Sequence, residues 1–371
     1  MSRVRRLTGV LVAAAVAVVL AGCGGGDPTA SAGPTASAAP PLSRLTPLAD
    51  PRAYVGPSTA VVPDAAIVPV SDAPVQQLPA TVTSHDHAGD TAVEVSDTSR
   101  VVAIDLAGSL AATAWGLGFG STLVGRDQST TFPGTHDLPV VTSGGHTVNA
   151  EAVIALHPTL VITDGTVGPR DVVEQLRDVG ITVVFVRNTP SFEGAQDLAR
   201  QVAAVYGAPG AGDALATRIG AEVADTTAAI AGIAPRAPGD KLRMLFLYLR
   251  GSAGVYYLFG EESGADRLIE GLGGIDVAGE LGWQGMRPMT DEALVAADPD
   301  LILVMTKGIE SVGGIDGLLR EKPAVAITAA GQHHRFVDMD DGTILSFGPR
   351  SAQVLDALAR AVYAPGGGAD G

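Results

Sequence analysis

A twelve-residue pattern occurs once in each half of the chain, at 151–162 and again at 292–303. Each copy opens with a glutamate, which suits the first turn of a helix because a negative charge is favourable there. The preceding Asn149 and Thr290 are residue types that cap helix N-termini. A proline at the same offset ends each predicted helix, and an apolar strand follows it. The repeat predicts two lobes of similar build.

Strands and helices alternate in the first half of the chain. Apolar runs at 101–104, 122–125 and 182–186 predict buried strands, and the segments 109–117 and 172–179 predict the helices between them. This alternation is typical of parallel sheets with crossover helices. The sequence therefore predicts an α/β lobe.

A strand-free helical pattern follows at 195–233, with a predicted break at 208–210. A stiff helical connection between two lobes restricts their movement more than a flexible linker does. The predicted organisation is an N-terminal α/β lobe at 80–194, a connecting helical segment at 195–239 and a C-terminal α/β lobe at 240–363. The fold class is α/β, with two Rossmann-like lobes joined by a single long helix, and 364–371 is a flexible tail.

Residues 1–23 resemble a bacterial export signal, with arginines before an apolar run that is too short for a typical membrane span. The run ends in Leu20-Ala21-Gly22-Cys23, which resembles a lipobox, so we expect Cys23 to be lipidated. Cys23 is the only cysteine, which excludes an intrachain disulfide. Acyl chains would hold the protein at the outer face of the cytoplasmic membrane.

Residues 24–79 are rich in proline and small residues, which predicts a tether to about residue 46 and an irregular extension after it. Apolar residues in the extension are candidates for packing on a lobe: Tyr54, Val61, Val62, Ile67 and Val68. The net charge of −16 argues against nucleic acid as a partner. We expect a monomer.

The segment 248–256 is the main functional signal. It follows an apolar run that predicts a buried strand, and Tyr248 and Arg250 lie on the same side of such a strand. A guanidinium beside a phenol favours the phenolate, and a phenolate oxygen is a suitable ligand for ferric iron. These residues alone leave two interpretations open: an iron ligand, or a buried tyrosine with a hydrogen-bonded hydroxyl.

The export signal, the repeated pattern and the helical connection resemble class III substrate-binding lipoproteins of bacterial ABC importers, over residues 81–363. Within that range, 144–151 and 248–256 are similar to HmuT-type haemin-binding proteins, as is the irregular extension. The resemblance implies the class III periplasmic-binding-protein fold. It also implies a lipoprotein that binds ferric haem b and delivers it to an ABC permease and its ATPase for iron acquisition.

The resemblance also implies roles for individual residues. His146 and Tyr248 match the axial iron ligands of the two lobes, and Arg250 matches the arginine that hydrogen-bonds the tyrosine. Met305 matches a residue beside the porphyrin. Glu151 and Glu292 match the acids that dock onto the permease, one in each lobe.

The predicted positions of the two ligands agree with this assignment on physical grounds. His146 follows two glycines and precedes a helix, and Tyr248 lies at a strand end. Ligands of open α/β sheets bind beyond the carboxyl ends of the strands. An imidazole and a phenolate on opposite walls of a cleft would suit Fe(III).

Other functions remain open at this point. A ferric siderophore or a cobalamin would use the same fold without His146 and Tyr248 as ligands. An exported enzyme is a remote alternative, because the sequence contains no nucleophile elbow, zinc motif or phosphate loop. Several further residues have a weaker claim to a role in binding: His85, His87, Arg287, Lys307, His333 and His334. His157 is explained by its position at the end of a helix, and His136 has no assigned role.

Overall fold

The computed structural model describes residues 40–63, 65–144 and 146–366. The expected signal segment with Cys23, most of the expected tether and the end of the expected tail lie outside the described residues. Within the described part, no helix is both long and apolar enough to cross a membrane.

The first lobe is an α/β unit that follows one short strand of the extension. Its elements alternate as predicted, and the three strands and two helices for which the sequence gives bounds lie within two residues of them. The extension strand and the elements of the lobe are β1 Ser58–Ala60, β2 Ala80–Asp86, β3 Gly89–Val95, β4 Val101–Ile104, α1 Ser109–Leu117, β5 Leu123–Arg126, β6 Thr142–Ser143, β7 Thr147–Val148, α2 Ala150–Ala155, β8 Leu160–Thr163, α3 Arg170–Asp178 and β9 Thr182–Phe185.

The connection consists of two helices, α4 (Phe192–Val205) and α5 (Pro209–Ile230), which pack against each other. The break falls where the sequence predicts it, with Pro209 in the first turn of α5. The α4 helix packs on α1 and therefore belongs to the first lobe. The 22-residue α5 is the long helix that leads to the second lobe.

The second lobe contains six strands of its own and eight α-helices within the described residues. They are β10 Arg243–Arg250, β11 Val255–Phe259, α6 Ala265–Gly271, β12 Ile275–Asp276, α7 Val277–Glu280, β13 Met286–Pro288, α8 Asp291–Ala297, β14 Leu301–Met305, α9 Thr306–Glu310, α10 Gly314–Glu321, α11 Pro323–Ala326, α12 Ala329–Gln332, β15 Phe336–Met339 and α13 Ser351–Tyr363.

Each lobe is built on its own sheet. The first-lobe sheet is wholly parallel, in the order β5-β4-β8-β9, and the β2–β3 hairpin packs beside it. The second sheet has the order β1-β15-β14-β10-β11-β13, with β12 beside the start of β10. Its first four strands are parallel, whereas β11 and β13 are antiparallel to their neighbours. Polar loops at the carboxyl ends of parallel strands are the expected ligand-binding edge.

The lobes share a hydrophobic core. One continuous group of buried residues includes Val101 and Leu160 of the first sheet, Leu215 of α5, and Phe246 and Leu303 of the second sheet. Interiors this closely packed resist deformation. We infer that the lobes move little relative to each other.

The extension is an ordered part of the fold. Its strand β1 adds to the edge of the second sheet by parallel pairing with β15. Farther along, the amide of Val70 donates to Gly116 O in the first lobe, and the amide of Gln77 donates to Gly207 O in the turn between α4 and α5. The extension therefore links the two lobes a second time, besides α5.

The sequence prediction for this region is partly wrong. Packing begins at Leu42, whose side chain is only 3% exposed, so the tether ends earlier than predicted. Ile67 is buried as predicted, but Val61 and Val68 are exposed. The proline-rich composition gives no sign of β1, because this strand forms by pairing with β15, a distant segment of the chain.

A buried arginine joins the extension to the second lobe. Arg335 is fully buried, and it donates to Ser58 Oγ at 2.7 Å and to Val362 O at 2.6 Å. Its guanidinium also lies 4.6 Å from the ring centroid of Tyr54. Burial lowers the Arg335 pKa to about 10, so the side chain stays charged at neutral pH.

We expect Arg335→Ala to lower the free energy of unfolding by about 3 kcal/mol, because it leaves buried acceptors without a charged donor. Urea unfolding monitored by circular dichroism measures this change. Arg320→Ala, which removes an exposed arginine of the same lobe, is the matched control and should change stability by less than about 0.5 kcal/mol. Equal losses of stability in the two variants would contradict the structural role that we assign to Arg335.

Candidate functional site

Tyr248 and Arg250 lie on one face of β10, at its carboxyl end, as the sequence predicts. Both side chains are half-buried. The Arg250 guanidinium carbon is 4.6 Å from the ring centroid of Tyr248. Phe259 stacks on the Tyr248 ring from the neighbouring strand, with centroids 5.7 Å apart. The phenol is therefore held between a cation and an aromatic ring.

The hydrogen bond from Arg250 to the Tyr248 hydroxyl, which the resemblance implies, is not formed in this structure. Arg250 instead donates to Asp341 Oδ1 at 2.6 Å, to Leu249 O at 2.9 Å and to the sulfur of Met305 at 3.5 Å. A carboxylate is a stronger acceptor for a guanidinium than a neutral phenol is. The guanidinium therefore lies across the ring, and the hydroxyl at its far end remains accessible.

His146 lies in the tight turn between β6 and β7, and α2 begins after β7. Its amide donates to Ser143 O at 3.0 Å, and its φ of 61° is in the left-handed region. The sequence predicts a loop at a helix start, and the structure adds the hairpin. The Nδ1 atom is buried and has no hydrogen-bond partner among the described residues. This ring therefore lacks the hydrogen bond that usually orients a metal-binding histidine.

His146 and Arg250 are close enough to interact electrostatically although they belong to different lobes. Burial lowers the pKa of His146 below its ordinary value, and the positive charge of Arg250 lowers the pKa further. Both effects favour the neutral imidazole, which is the form that binds metals. The interaction indicates that the hairpin turn faces the end of β10.

Two loops near these residues connect the first lobe to the second. The amide of Gln128 donates to Thr142 Oγ1 and so joins the loop after β5 to the β6–β7 hairpin. Thr131 Oγ1 of the same loop donates to Asp340 Oδ1 of the second lobe at 3.4 Å. Gly342 is required at this junction, since a Cβ there would lie 2.4 Å from Ser129 O.

Met305 and Lys307 also contribute to this region. Met305 ends β14 and contacts Arg250, as described above. The backbone amide of Lys307 donates to Asp341 Oδ2 at 2.9 Å, while its side chain is exposed. Asp341 thus fixes Arg250 and the first turn of α9 together.

Sequence reasoning missed Asp341. The signal was available, because Asp340-Asp341-Gly342 directly follows the buried strand β15 at the carboxyl edge of the sheet. It was overlooked because an acidic turn after a strand is also a common loop sequence.

Glu151 and Glu292 occupy equivalent positions in the two lobes. Both are exposed in the first turn of a short helix, α2 or α8. The predicted caps are confirmed, since the side chains of Asn149 and Thr290 accept hydrogen bonds from backbone amides of the first turn. The repeated pattern therefore folds twice into the same cap, helix and strand.

The remaining candidate residues do not form a second site. His85 Nδ1 lies 2.8 Å from Asp90 Oδ1 within the β2–β3 hairpin, and Arg287 and His136 are exposed. His334 lies 3.7 Å from Asp316 at the surface. The described residues contain no group of three or more histidine, cysteine, aspartate or glutamate side chains that could hold a metal ion.

Residues 101–343 match the family described as periplasmic binding proteins. This range begins at β4 and ends just after Asp341 and Gly342, so it spans both lobes and the candidate site. The chain belongs to the periplasmic binding protein family.

Solved structures with this fold include heme binding proteins. A heme binding protein called HmuT is 41% identical, with a TM-score of 0.79, over 85% of this chain and 99% of that chain. Variants of HmuT with alanine in place of one histidine, one tyrosine or one arginine have also been solved, and that tyrosine and arginine are two positions apart. The periplasmic heme-binding protein RhuT from Roseiflexus sp. RS-1, in apo form, is 35% identical with a TM-score of 0.64, over 72% of this chain and 98% of that chain.

Among curated proteins, an uncharacterized ABC transporter substrate-binding lipoprotein, YvrC of Bacillus subtilis (strain 168), is 27% identical over 67% of this chain and 76% of its own length. These similarities confirm the predicted fold class and the expectation of a substrate-binding protein rather than an enzyme.

We expect Arg250→Gln to raise the pKa of His146 in this periplasmic binding protein, because the substitution removes a positive charge that opposes protonation. NMR titration of the imidazole measures the pKa, with His146→Gln to assign the signal. Arg287→Gln, which removes an exposed arginine of the same lobe, should leave the pKa of His146 unchanged. An unaltered pKa in Arg250→Gln would show that the two residues do not face each other.

Proposed function

We propose that this protein binds ferric haem b in the cleft between its lobes and delivers it to an ABC permease and its ATPase. Tyr248 binds the iron from the second lobe, and His146 binds it from the first. The observation that carries the proposal is the pairing of an accessible phenol with an imidazole of lowered pKa at the facing ends of the two lobes. Haem is the transported ligand and not a resident cofactor.

The two ligand types suit the ferric state. An anionic phenolate oxygen stabilises the higher charge of Fe(III), and a neutral imidazole supplies a second ligand without adding charge. When iron binds the Tyr248 oxygen, the phenolic proton passes to solvent. Arg250 stays beside the ring, where Asp341 holds it.

The cleft also offers apolar contact for a porphyrin. Tyr248, Tyr257 and Met305 are partly buried and pack against the shared core, so their outer surfaces remain available to a flat ligand. Burial of apolar area contributes about 25 cal/mol per Å², which makes the macrocycle a large source of affinity.

The similarity to heme binding proteins supports the same ligand. This chain matches HmuT over nearly the whole length of HmuT. The substituted tyrosine and arginine of HmuT are two positions apart, as Tyr248 and Arg250 are. The substituted histidine of HmuT supports the assignment of His146 by residue type. We therefore assign haem rather than a siderophore or a cobalamin.

Delivery requires attachment and docking. We infer that a lipid on Cys23 anchors the protein, as a monomer, at the outer face of the cytoplasmic membrane. Glu151 and Glu292 then dock onto basic residues of the permease, one lobe on each half. Their exposure and their equivalent positions in the two lobes support this assignment.

Tyr248→Ala should weaken haemin binding by at least about tenfold, which corresponds to about 1.4 kcal/mol, and His146→Ala should weaken binding less. The reason is that the first substitution removes the anionic ligand, whereas the second removes a neutral ligand that lacks an orienting hydrogen bond. Absorbance titration with haemin measures both affinities. A larger loss in His146→Ala would reverse the assigned roles.

Reversing both docking charges, in Glu151→Arg with Glu292→Arg, should leave haemin affinity unchanged and abolish haem-dependent growth under iron limitation. The matched control is Asp171→Arg with Asp316→Arg, which reverses one exposed first-turn acid in each lobe. The control should grow normally. Normal growth of the docking variant would refute the docking role.

A further inference from the structure

A second tyrosine lies beside Tyr248 on the same sheet face. In the antiparallel pair β10–β11, Tyr248 is directly opposite Tyr257, and Phe246 is opposite Phe259. All four aromatic side chains pack against the core that the lobes share. Tyr256 points the other way and joins the separate core beneath the sheet.

The four rings lie on one sheet face, with the two phenylalanines nearer the core and the two tyrosines nearer the end of β10. Phe246 is fully buried and Phe259 is 6% exposed, whereas the two tyrosines are half-buried. The Phe246 and Phe259 rings stack with centroids 5.1 Å apart, and Phe259 also stacks on Tyr248. Because Phe246 and Phe259 are packed in the core, they hold the Tyr248 ring in a defined position at the end of β10.

Neither outer phenol has a hydrogen-bond partner within the part of the chain that the structure describes. The three buried tyrosines do have one: Tyr256 donates to Glu321 Oε1 at 2.8 Å, Tyr363 donates to Leu272 O at 2.7 Å, and Tyr206 lies 3.1 Å from Thr122 Oγ1. Buried tyrosine hydroxyls normally find partners. The half-buried Tyr54 also has no hydrogen-bond partner among the described residues, so the feature that points to a shared ligand is the direct opposition of Tyr248 and Tyr257 on one sheet face at the end of β10.

We propose that Tyr257 is a second iron-binding phenol, so that ferric haem can bind either of two neighbouring oxygens. The inference rests on the proposed function. Directly opposed residues of an antiparallel pair have Cβ atoms about 5 Å apart, so a shift of that size moves the iron from one phenol to the other. A bond from iron to the Tyr257 oxygen then replaces the bond to Tyr248.

The transfer is balanced without a redox step. Tyr257 releases its phenolic proton to solvent as its oxygen binds, and the Tyr248 oxygen takes up a proton as it leaves. The iron remains ferric. Tyr248 is the preferred ligand, because the charge of Arg250 lies over its ring and no cation lies over the Tyr257 ring among the described residues.

Substitutions that remove only the hydroxyl test this inference. The four variants are Tyr248→Phe, Tyr257→Phe, the double variant, and Tyr256→Phe as the matched control on the opposite face. Resonance Raman spectroscopy of the haemin complex, excited in the phenolate-to-iron charge-transfer band, detects the vibrations of an iron-bound phenolate. Absorbance titration gives the affinity.

Tyr248→Phe should keep a phenolate–iron signal at an altered frequency and lose about tenfold in affinity, whereas the double variant should lose the signal and about a further tenfold. Tyr257→Phe alone and Tyr256→Phe should bind like the unaltered protein, within about threefold.

Two results would overturn the inference. If Tyr248→Phe and the double variant have the same spectrum and affinity, Tyr257 does not bind iron, although the proposed function stands. If the unaltered protein fails to bind haemin, the proposed function fails and this inference fails with it.

Discussion

The ion pair between Arg250 and Asp341 holds the candidate site together. Both side chains are mostly buried, with 28% and 16% of their surfaces exposed, so solvent screens the pair less than a surface pair. Because Asp341 holds the guanidinium, Arg250 lies over the Tyr248 ring and directs its charge toward the first lobe. Burial lowers the pKa of His146 and the charge of Arg250 lowers it further, so both effects favour the neutral imidazole.

This arrangement requires the two lobes to keep the same position relative to each other. The shared core, the helix α5 and the extension each connect the two sheets, and the Gly342 junction brings their loops into direct contact. A site whose two sides are held in place before a ligand arrives has a lower conformational cost of binding. We therefore expect ligand capture to involve small local shifts of side chains and of the β6–β7 hairpin.

Much of this could be predicted from the sequence, because the decisive signals are local. The repeated cap, helix and proline pattern specified two similar lobes, and the two-residue spacing of Tyr248 and Arg250 placed both on one strand face. Partners that come from distant segments were not predictable in this way. Asp341 reaches Arg250 from another strand, and Tyr257 is adjacent to Tyr248 only through the register of β10 and β11.

The most direct test is an absorbance titration of the purified protein with haemin, a ferric siderophore and cobalamin in parallel. We predict a Soret band that saturates at about one haemin per chain, with no binding of the other two ligands at comparable concentrations. A preparation that leaves the haemin spectrum unchanged, or that binds a siderophore or cobalamin instead, would contradict the account.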